Sequence, residues 1–270
     1  MGRPSRQVGV EREWERRPGL GPRADEPPVP EGLDLKELPR GVRAELRGLS
    51  AKSAEVVGAY LLQAGKLVDE DPEAAYLHAE AARRRAPRLP ITREAAGETA
   101  YAAAHYDVAL NEFRAMRRMG GGAEYLALMA DCERALGRPQ QALKLVKEGL
   151  AADPDLPSVV ELRLVEAGVR REIGQTEEAL RLLRKQIEAA GPRGTKLSRA
   201  RLRYAYADHL EAAGKLAEAE QWFATAAMLD TEGTTDAAER VAQLQGLTLE
   251  LGDLDDEPED ADTHLEEADE

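Results

Sequence analysis

Cysteine, histidine and long apolar runs are scarce in this chain of 270 residues. The single cysteine, Cys132, excludes an internal disulfide and a cysteine-based zinc site, and no two of the 4 histidines stand four residues apart. We therefore expect no bound metal and no cofactor. A helix needs about 20 apolar residues to cross a bilayer. Because no run approaches that length, we expect a cytoplasmic protein that does not bind membranes.

Aromatic residues make up only 4% of the chain, and extended β-branched runs are missing. Ala, Leu, Glu and Arg dominate instead, and these residues favour helices. The composition therefore predicts helix throughout and excludes a sheet-based fold.

Catalytic patterns are also missing. Gly120, Gly121 and Gly122 follow no predicted strand, so they do not form a phosphate-binding loop. Asp208 and His209 are neighbours, but adjacent helix residues point about 100° apart and no nucleophile accompanies them. We expect no enzymatic activity.

Negative charge is concentrated at the carboxyl end. Residues 250–270 carry 12 acidic and no basic residues, so they account for −12 of the net charge of −14 and leave −2 for the rest. Because the rest of the chain is nearly neutral, its net charge does not indicate a nucleic-acid-binding surface. The tail has two possible roles: a nucleic-acid mimic that binds a basic partner, or a solubilising end. The proline- and arginine-bearing residues 1–31 are predicted to be disordered as well.

Small residues recur at three sets of positions, 33 to 40 residues apart between equivalents. The first set, in the middle of apolar-periodic segments, is Gly58, Gly97, Ala130, Ala167 and Ala207. The second set, seven residues later, is Gly65, Ala104, Gly137, Gly174 and Gly214. The third set, early in the next segment, is Ala75, Ala109, Ala142, Ala179 and Ala219. Small residues allow close helix crossings, and glycine accepts the left-handed conformation that ends a helix. The pattern predicts five stacked helix pairs.

The arrangement resembles the tetratricopeptide repeat (TPR). The third unit fits this consensus best, with Leu126, Met129, Ala130, Gly137, Ala142, Val146, Gly149 and Pro154. In the fourth unit Arg163, Glu166 and Arg170 occupy nominally buried places, so we expect its first helix to be rotated. The run 30–39 and the acidic end are similar to a group of TPR proteins from high-GC, actinobacterial-type bacteria.

The resemblance implies an all-α, TPR-type α-solenoid, a right-handed superhelix of antiparallel helix pairs with disordered termini. The expected division is a disordered segment over residues 1–31, an N-terminal helical cap over 32–51, five TPR-like repeats over 52–232, a capping helix over 233–248 and an acidic disordered tail over 249–270.

The resemblance also implies a non-catalytic scaffold that binds a protein or peptide in a concave groove lined by the first helix of each pair. Chaperone-docking TPR domains hold a terminal carboxylate with Lys, Asn and Arg at the groove positions three residues before and one residue after the small mid-helix residue. None of these residue types stands at those positions in the second to fifth units. The predicted groove residues are Glu94, Glu98, Tyr101, Asp131, Arg134, Arg171, Tyr204 and Asp208. Four carboxylates among them favour a partner of basic or mixed charge. The alternative is that they are ordinary solvated charges.

A second function class remains open from the sequence. Arg83, Arg84, Arg85, Arg88 and Arg93 form a dense basic patch that would suit a nucleic-acid-associated helical-repeat protein. Glutamates are interspersed and no aromatic residue lies among the arginines for base stacking, so we do not expect nucleic acid as the partner.

Overall fold

Helices form the regular structure of residues 26–246, which are the residues described by a computed structural model of the protein. A 3-10 helix covers Leu35–Glu37. The α-helices are α1 (Arg40–Leu46), α2 (Ala51–Leu67), α3 (Pro72–Arg85), α4 (Pro90–Ala102), α5 (Tyr106–Arg118), α6 (Leu126–Ala135), α7 (Pro139–Ala151), α8 (Leu156–Glu172), α9 (Thr176–Ala190), α10 (Lys196–Ala212), α11 (Leu216–Ala227) and α12 (Ala237–Leu244). These residues contain no strand, which agrees with the all-α prediction. No helix among them has the length and apolar character needed to span a membrane.

Consecutive helices pack in pairs, and the pairs stack. The pairs are α2 with α3, α4 with α5, α6 with α7, α8 with α9, and α10 with α11. The second helix of each pair packs against the first helix of the next, and α12 packs on α11. Because each pair has apolar residues on both sides, stacking is what removes them from water.

Local signals fix where several helices begin. The Asp71 carboxylate accepts a hydrogen bond from the Ala74 amide at 3.0 Å, and Pro72 is the first residue of α3. Asp155 caps α8 in the same way through the amide of Ser158 at 3.0 Å. A carboxylate at this position satisfies an amide that has no partner within the helix.

The small residues occupy close helix crossings, as the repeat pattern predicts. All ten members of the first and third sets are buried. Gly97 shows how tight the packing is, because a Cβ added there would lie 2.9 Å from Cε1 of Phe113. A Cβ at Gly149 would lie 2.8 Å from the Leu162 side chain. The neighbouring helices can therefore pack this closely only because Gly97 and Gly149 have no side chain.

The second set ends helices at four of its five positions. Gly137, Gly174 and Gly214 have φ of +70°, +81° and +74°, and Ala104 adopts the same left-handed region with φ of +59°. The expectation is wrong for Gly65, which lies inside α2. That helix continues to Leu67, because most of the extra residues between Gly65 and Ala75 lengthen the helix and only one lengthens the loop before α3.

The prediction that α8 is rotated is also wrong. Ala167 is fully buried, as are its equivalents Ala130 and Ala207. Glu166 therefore takes a core position and is only 7% exposed. Its carboxylate is neutralised by Arg163 at 2.6 Å and Arg170 at 2.8 Å, one turn away on either side. Because these two guanidinium groups neutralise the buried carboxylate, Glu166 can occupy a position that is apolar in other repeats. The helix α8 therefore keeps the same register as the other first helices.

The segment before the 3-10 helix packs on the first helix pair. The Glu26 carboxylate is buried and pairs with Arg84 at 2.8 Å and with Arg85. The Tyr60 hydroxyl donates to the Pro27 carbonyl at 2.9 Å. Glu26 and Pro27, which fall in the segment predicted to be disordered, therefore contact the first helix pair. Residues 1–25 and the tail over 249–270 lie outside the described residues.

Candidate functional site

An open cavity of about 660 Å³ lies along the first helices of successive pairs. Residues of α4, α6, α8 and α10 line it, together with the residues just before α6. Its apolar surface includes Ala127, Leu162 and Val165, and its polar rim includes Tyr101, Asp131 and three arginines. This volume is within the range of roughly 300–1,000 Å³ that is common for ligand sites.

Four of the predicted groove residues line this cavity: Tyr101, Asp131, Arg134 and Arg171. The Tyr101 hydroxyl donates to Asp131 Oδ2 at 2.5 Å, which ties α4 to α6. Arg134 Nε donates to Asp131 Oδ1 at 2.7 Å, and Arg134 also pairs with Glu172 of α8. Burial, followed by the hydrogen bond to Asp131, raises the pKa of Tyr101, so the phenol stays protonated and donating.

Glu94 and Glu98 lie on α4, beyond the lining of the cavity. Glu94 accepts a hydrogen bond from the Tyr125 hydroxyl at 3.0 Å. The Glu98 side chain is exposed to solvent, yet the residues around it exclude enough water to raise its pKa. The negative charge of Glu94, one turn away, raises this pKa further. These two carboxylates are one turn apart and have no arginine partner among the described residues.

Asp208 and Tyr204 lie on α10, toward the end of the stack. Asp208 pairs with Arg171 of α8, and Arg240 of α12 lies 3.7 Å from its other oxygen. The Tyr204 ring packs edge-on against Phe223, with the centroids 5.3 Å apart. Burial, followed by a hydrogen bond to Asp236, raises the pKa of Tyr204 to about 12. Tyr204 therefore contacts the α11–α12 end and does not line the cavity.

Ion pairs thus connect successive first helices along the groove. Asp131 and Asp208, two of the four predicted carboxylates, are each held by an arginine. A partially buried pair of this kind fixes side-chain positions and cancels much of the charge that a ligand would meet. The groove presents both signs of charge, with Glu94 and Glu98 as the negative excess on α4.

Four titratable residues that line the cavity are missing from the predicted groove residues: Glu124, Glu161, Arg201 and His209. Arg201 donates to Glu161 at 2.7 Å, and burial raises the pKa of Glu161 although Arg201 opposes the shift. Glu161 and Arg201 each stand six residues before the small residue of their repeat, so extending the positional rule by three residues, about one turn, would have found them. His209 stands two residues after Ala207, where the other repeats have buried residues.

The basic patch of the second function class is largely engaged within the chain. Arg83 pairs with Glu80 at 2.6 Å, and Arg93 pairs with Glu112 at 2.6 Å. Arg84 and Arg85 are packed on Glu26. Since phosphate contacts require accessible cations, this arrangement gives the nucleic-acid alternative no support.

Comparison with known proteins identifies the fold. No protein-family model and no curated protein matches the chain. Among solved structures, a thermophilic TPR protein from Thermus thermophilus superposes with a TM-score of 0.55 and 21% sequence identity, over 71% of this chain and 100% of that one. The chain therefore has a TPR-type fold.

Proposed function

We propose that this protein is a non-catalytic scaffold that binds a peptide or protein of basic or mixed charge in the groove formed by α4, α6, α8 and α10. The observation that carries the proposal is the open cavity along these helices, whose apolar floor is bordered by charges of both signs. A partner that presents lysine or arginine to Glu94 and Glu98 complements the negative excess at the α4 end.

The described residues also support a scaffold rather than an enzyme. Asp131 and Asp208 are held in arginine pairs, and the thiol of Cys132 next to Asp131 is buried. Burial raises the pKa of the Cys132 thiol to about 12, so it is protonated and unreactive at neutral pH. We propose that the protein acts in the cytoplasm, through five TPR-like repeats over residues 52–232 closed by a cap at each end.

The experiment has two stages. An affinity pull-down from the native cell, read by mass spectrometry, supplies the partner, whose binding is then measured with purified protein. Neutralising Glu94→Gln, Glu98→Gln, Asp131→Asn and Asp208→Asn together should weaken binding about tenfold or more. A single exposed pair contributes only about 0–1 kcal/mol, so one substitution is too small a change. Added salt should weaken binding in parallel, because the Debye length falls as salt rises.

A matched control uses four glutamates on the second helices: Glu148→Gln, Glu177→Gln, Glu188→Gln and Glu218→Gln. Three of these also form ion pairs, so the control removes similar charge and similar pairing from the outer helices. The double variant Glu94→Gln/Glu98→Gln leaves the ion pairs of Asp131 and Asp208 in place. A loss of affinity in this variant therefore reports recognition of the partner and not a change in how the helices are held together. Full affinity in the fourfold variant, or equal loss in the control, would overturn the groove as the binding site.

The nucleic-acid alternative is decided by a mobility-shift assay. Generic RNA and DNA at low micromolar protein should show no salt-sensitive shift. A clear shift that disappears with salt would favour the alternative.

A further inference from the structure

The start of α10 carries positive charge that no carboxylate of the described residues neutralises. Residues 189–207 contain five basic residues and no acidic residue. One of the five, Arg201, lines the groove and is paired there. Lys196, Arg199 and Arg203 lie three and four residues apart, so they share another face of the helix, the α10 basic face. None of these three residues forms an ion pair within residues 26–246.

Two of these cations are half-buried, where an unpaired charge is unfavourable. Arg199 and Arg203 are one turn apart, and Arg203 Nη1 donates to the Arg199 carbonyl oxygen at 3.0 Å. Burial, and then the charge of Arg199, lower the pKa of Arg203, and no carboxylate of the described residues acts in the opposite direction. Like charges one turn apart destabilise a helix, and charged groups removed from water normally have a partner. The two guanidinium groups therefore lack a compensating anion.

Arginines on the earlier first helices do have such a partner. Arg93 of α4, Arg134 of α6 and Arg171 of α8 each form an ion pair with a carboxylate. The α10 basic face departs from this pattern at the end of the stack that precedes the acidic tail. The tail is therefore a source of the missing anion within the same chain.

The tail begins near the opposite end of α10. Asp236, just before α12, hydrogen-bonds to Tyr204, and Arg240 within α12 pairs with Glu211. Because these contacts advance together along both helices, α12 runs in the same direction as α10. The last described residue, Gly246, therefore lies near the carboxyl end of α10, and residues 247–270 follow it.

The tail is long enough to return to the start of α10. This helix has 17 residues, so its two ends are about 25 Å apart. Crossing to a neighbouring helix adds about 10 Å. About ten extended residues span the combined distance, since each adds about 3.4 Å. Residues from about position 256 onward can therefore reach the α10 basic face.

We infer that the acidic tail of this chain docks on the α10 basic face, with carboxylates of residues 256–262 paired with Lys196, Arg199 and Arg203. This run of the tail contains five acidic residues and no basic residue. Docking places negative charge beside the two half-buried guanidinium groups, which removes their mutual repulsion as a cost to the fold. The inference does not depend on the groove as a peptide site, because the α10 basic face lies on a different side of the helix from Arg201.

A second set of unpaired arginines offers a comparison. Arg40, Arg43 and Arg47 have the same spacing, form no ion pair among the described residues and lie on or just after α1. α1 packs on α2, at the far end of the stack from α12. A tethered segment has a higher effective concentration at a nearby site than at a distant one. The tail should therefore occupy α10 and leave the α1 arginines free, which makes them the matched control.

Zero-length cross-linking of the full-length protein tests the inference. A water-soluble carbodiimide joins a lysine amine to a carboxylate in contact with it, and mass spectrometry identifies the joined peptides. Carboxylates of residues 256–262 should join Lys196 in preference to Lys215, which lies in the turn after α10 and closer to the start of the tail. The yield at Lys196 should fall with added salt, because salt screens exposed charges.

Two double variants separate docking from proximity. Arg199→Gln/Arg203→Gln keeps the reactive lysine but removes two of the three cations, so the yield at Lys196 should fall about fivefold or more. Arg40→Gln/Arg43→Gln removes the same charge from α1 and should leave the yield unchanged. If the α10 variant does not fold, the preference for Lys196 over Lys215 in the unchanged protein and its salt dependence decide.

An equal mixture of ¹⁴N- and ¹⁵N-labelled chains shows which molecule supplies the tail. Links between the tail and Lys196 should join peptides that carry the same label. Mixed-label links would mean that the tail of a second copy occupies the face, and docking within one chain would be wrong. Equal yields at Lys196 and Lys215, or a yield that Arg199→Gln/Arg203→Gln leaves unchanged, would mean that the tail does not dock on α10.

Discussion

Ala104 is a residue whose backbone conformation suits glycine better than alanine. It ends the first helix of its pair with φ of +59°, and its side chain is exposed. The left-handed conformation costs an L-residue roughly 1–2 kcal/mol. Glycine recovers this cost but adds entropy to the unfolded chain, which offsets part of it.

We therefore predict that Ala104→Gly raises the free energy of unfolding by about 0.5–1 kcal/mol. The reverse change at the equivalent position, Gly137→Ala, should lower it by a similar amount, since nothing lies within 4 Å of the added Cβ and only the backbone conformation is affected. Urea unfolding followed by circular dichroism measures both. A destabilised Ala104→Gly would show that the φ of this residue is not strained.

Two helical glycines should respond to alanine in opposite directions. Gly65 is exposed inside α2 and has open space where a Cβ would go, so Gly65→Ala should stabilise by about 0.5–1 kcal/mol through helix propensity. Gly97→Ala would place its Cβ 2.9 Å from the Phe113 ring and should destabilise by about 1–3 kcal/mol. Thermal and urea unfolding of the pair test this. The same sign for both would contradict the close crossing at Gly97.

At the scale of the helix, the crossing at Ala142 tests the register of α7. Ala142 is fully buried. Ala142→Trp should therefore destabilise the protein by about 1–3 kcal/mol or more, because the neighbouring helices must separate to admit the ring. Glu178 of α9 pairs only with the exposed Arg181 among the described residues. Glu178→Ala should then stay within about 0.5 kcal/mol of the unchanged protein. Similar melting temperatures for the two variants would mean that the helix faces are assigned wrongly.

For the molecule as a whole, α12 is predicted to close the end of the stack. Ala237 is buried against the last core cluster, and Val241 and Leu244 pack on it. Arg240 lies over the Phe223 ring at 4.9 Å and pairs with Glu211. A chain that ends after residue 232 should lose these contacts and expose the apolar end of the stack.

We predict that the chain ending after residue 232 melts at a lower temperature and associates in solution, compared with a chain ending after residue 246. Calorimetry and light scattering measure the two effects. Both chains lack the acidic tail, so the comparison isolates α12. Equal melting temperatures and equal monomer content would contradict a capping role.

Helix content, the periodicity of small residues and the all-α fold follow from the sequence. They depend on local propensity and on the steric need for small side chains at crossings, and both repeat visibly along the chain. The same local reasoning failed at Gly65 and α8. The two places differ from the repeat pattern for separate reasons: extra residues lengthen α2 beyond Gly65, and two arginines of α8 neutralise the buried Glu166.

The contents of the groove depended on tertiary structure. Counting three residues before and one residue after the small mid-helix residue found Asp131 and Asp208. It did not show that Asp208 pairs with Arg171, because these two residues lie on the stacked helices α10 and α8 and meet only in the tertiary structure. Tyr204 fits the same rule yet turns toward Phe223, since α12 covers that end of the stack. The sequence determines which residues are small, apolar or charged at each repeat position, whereas the stacking of helices far apart in the chain decides which of these charges pair and cancel.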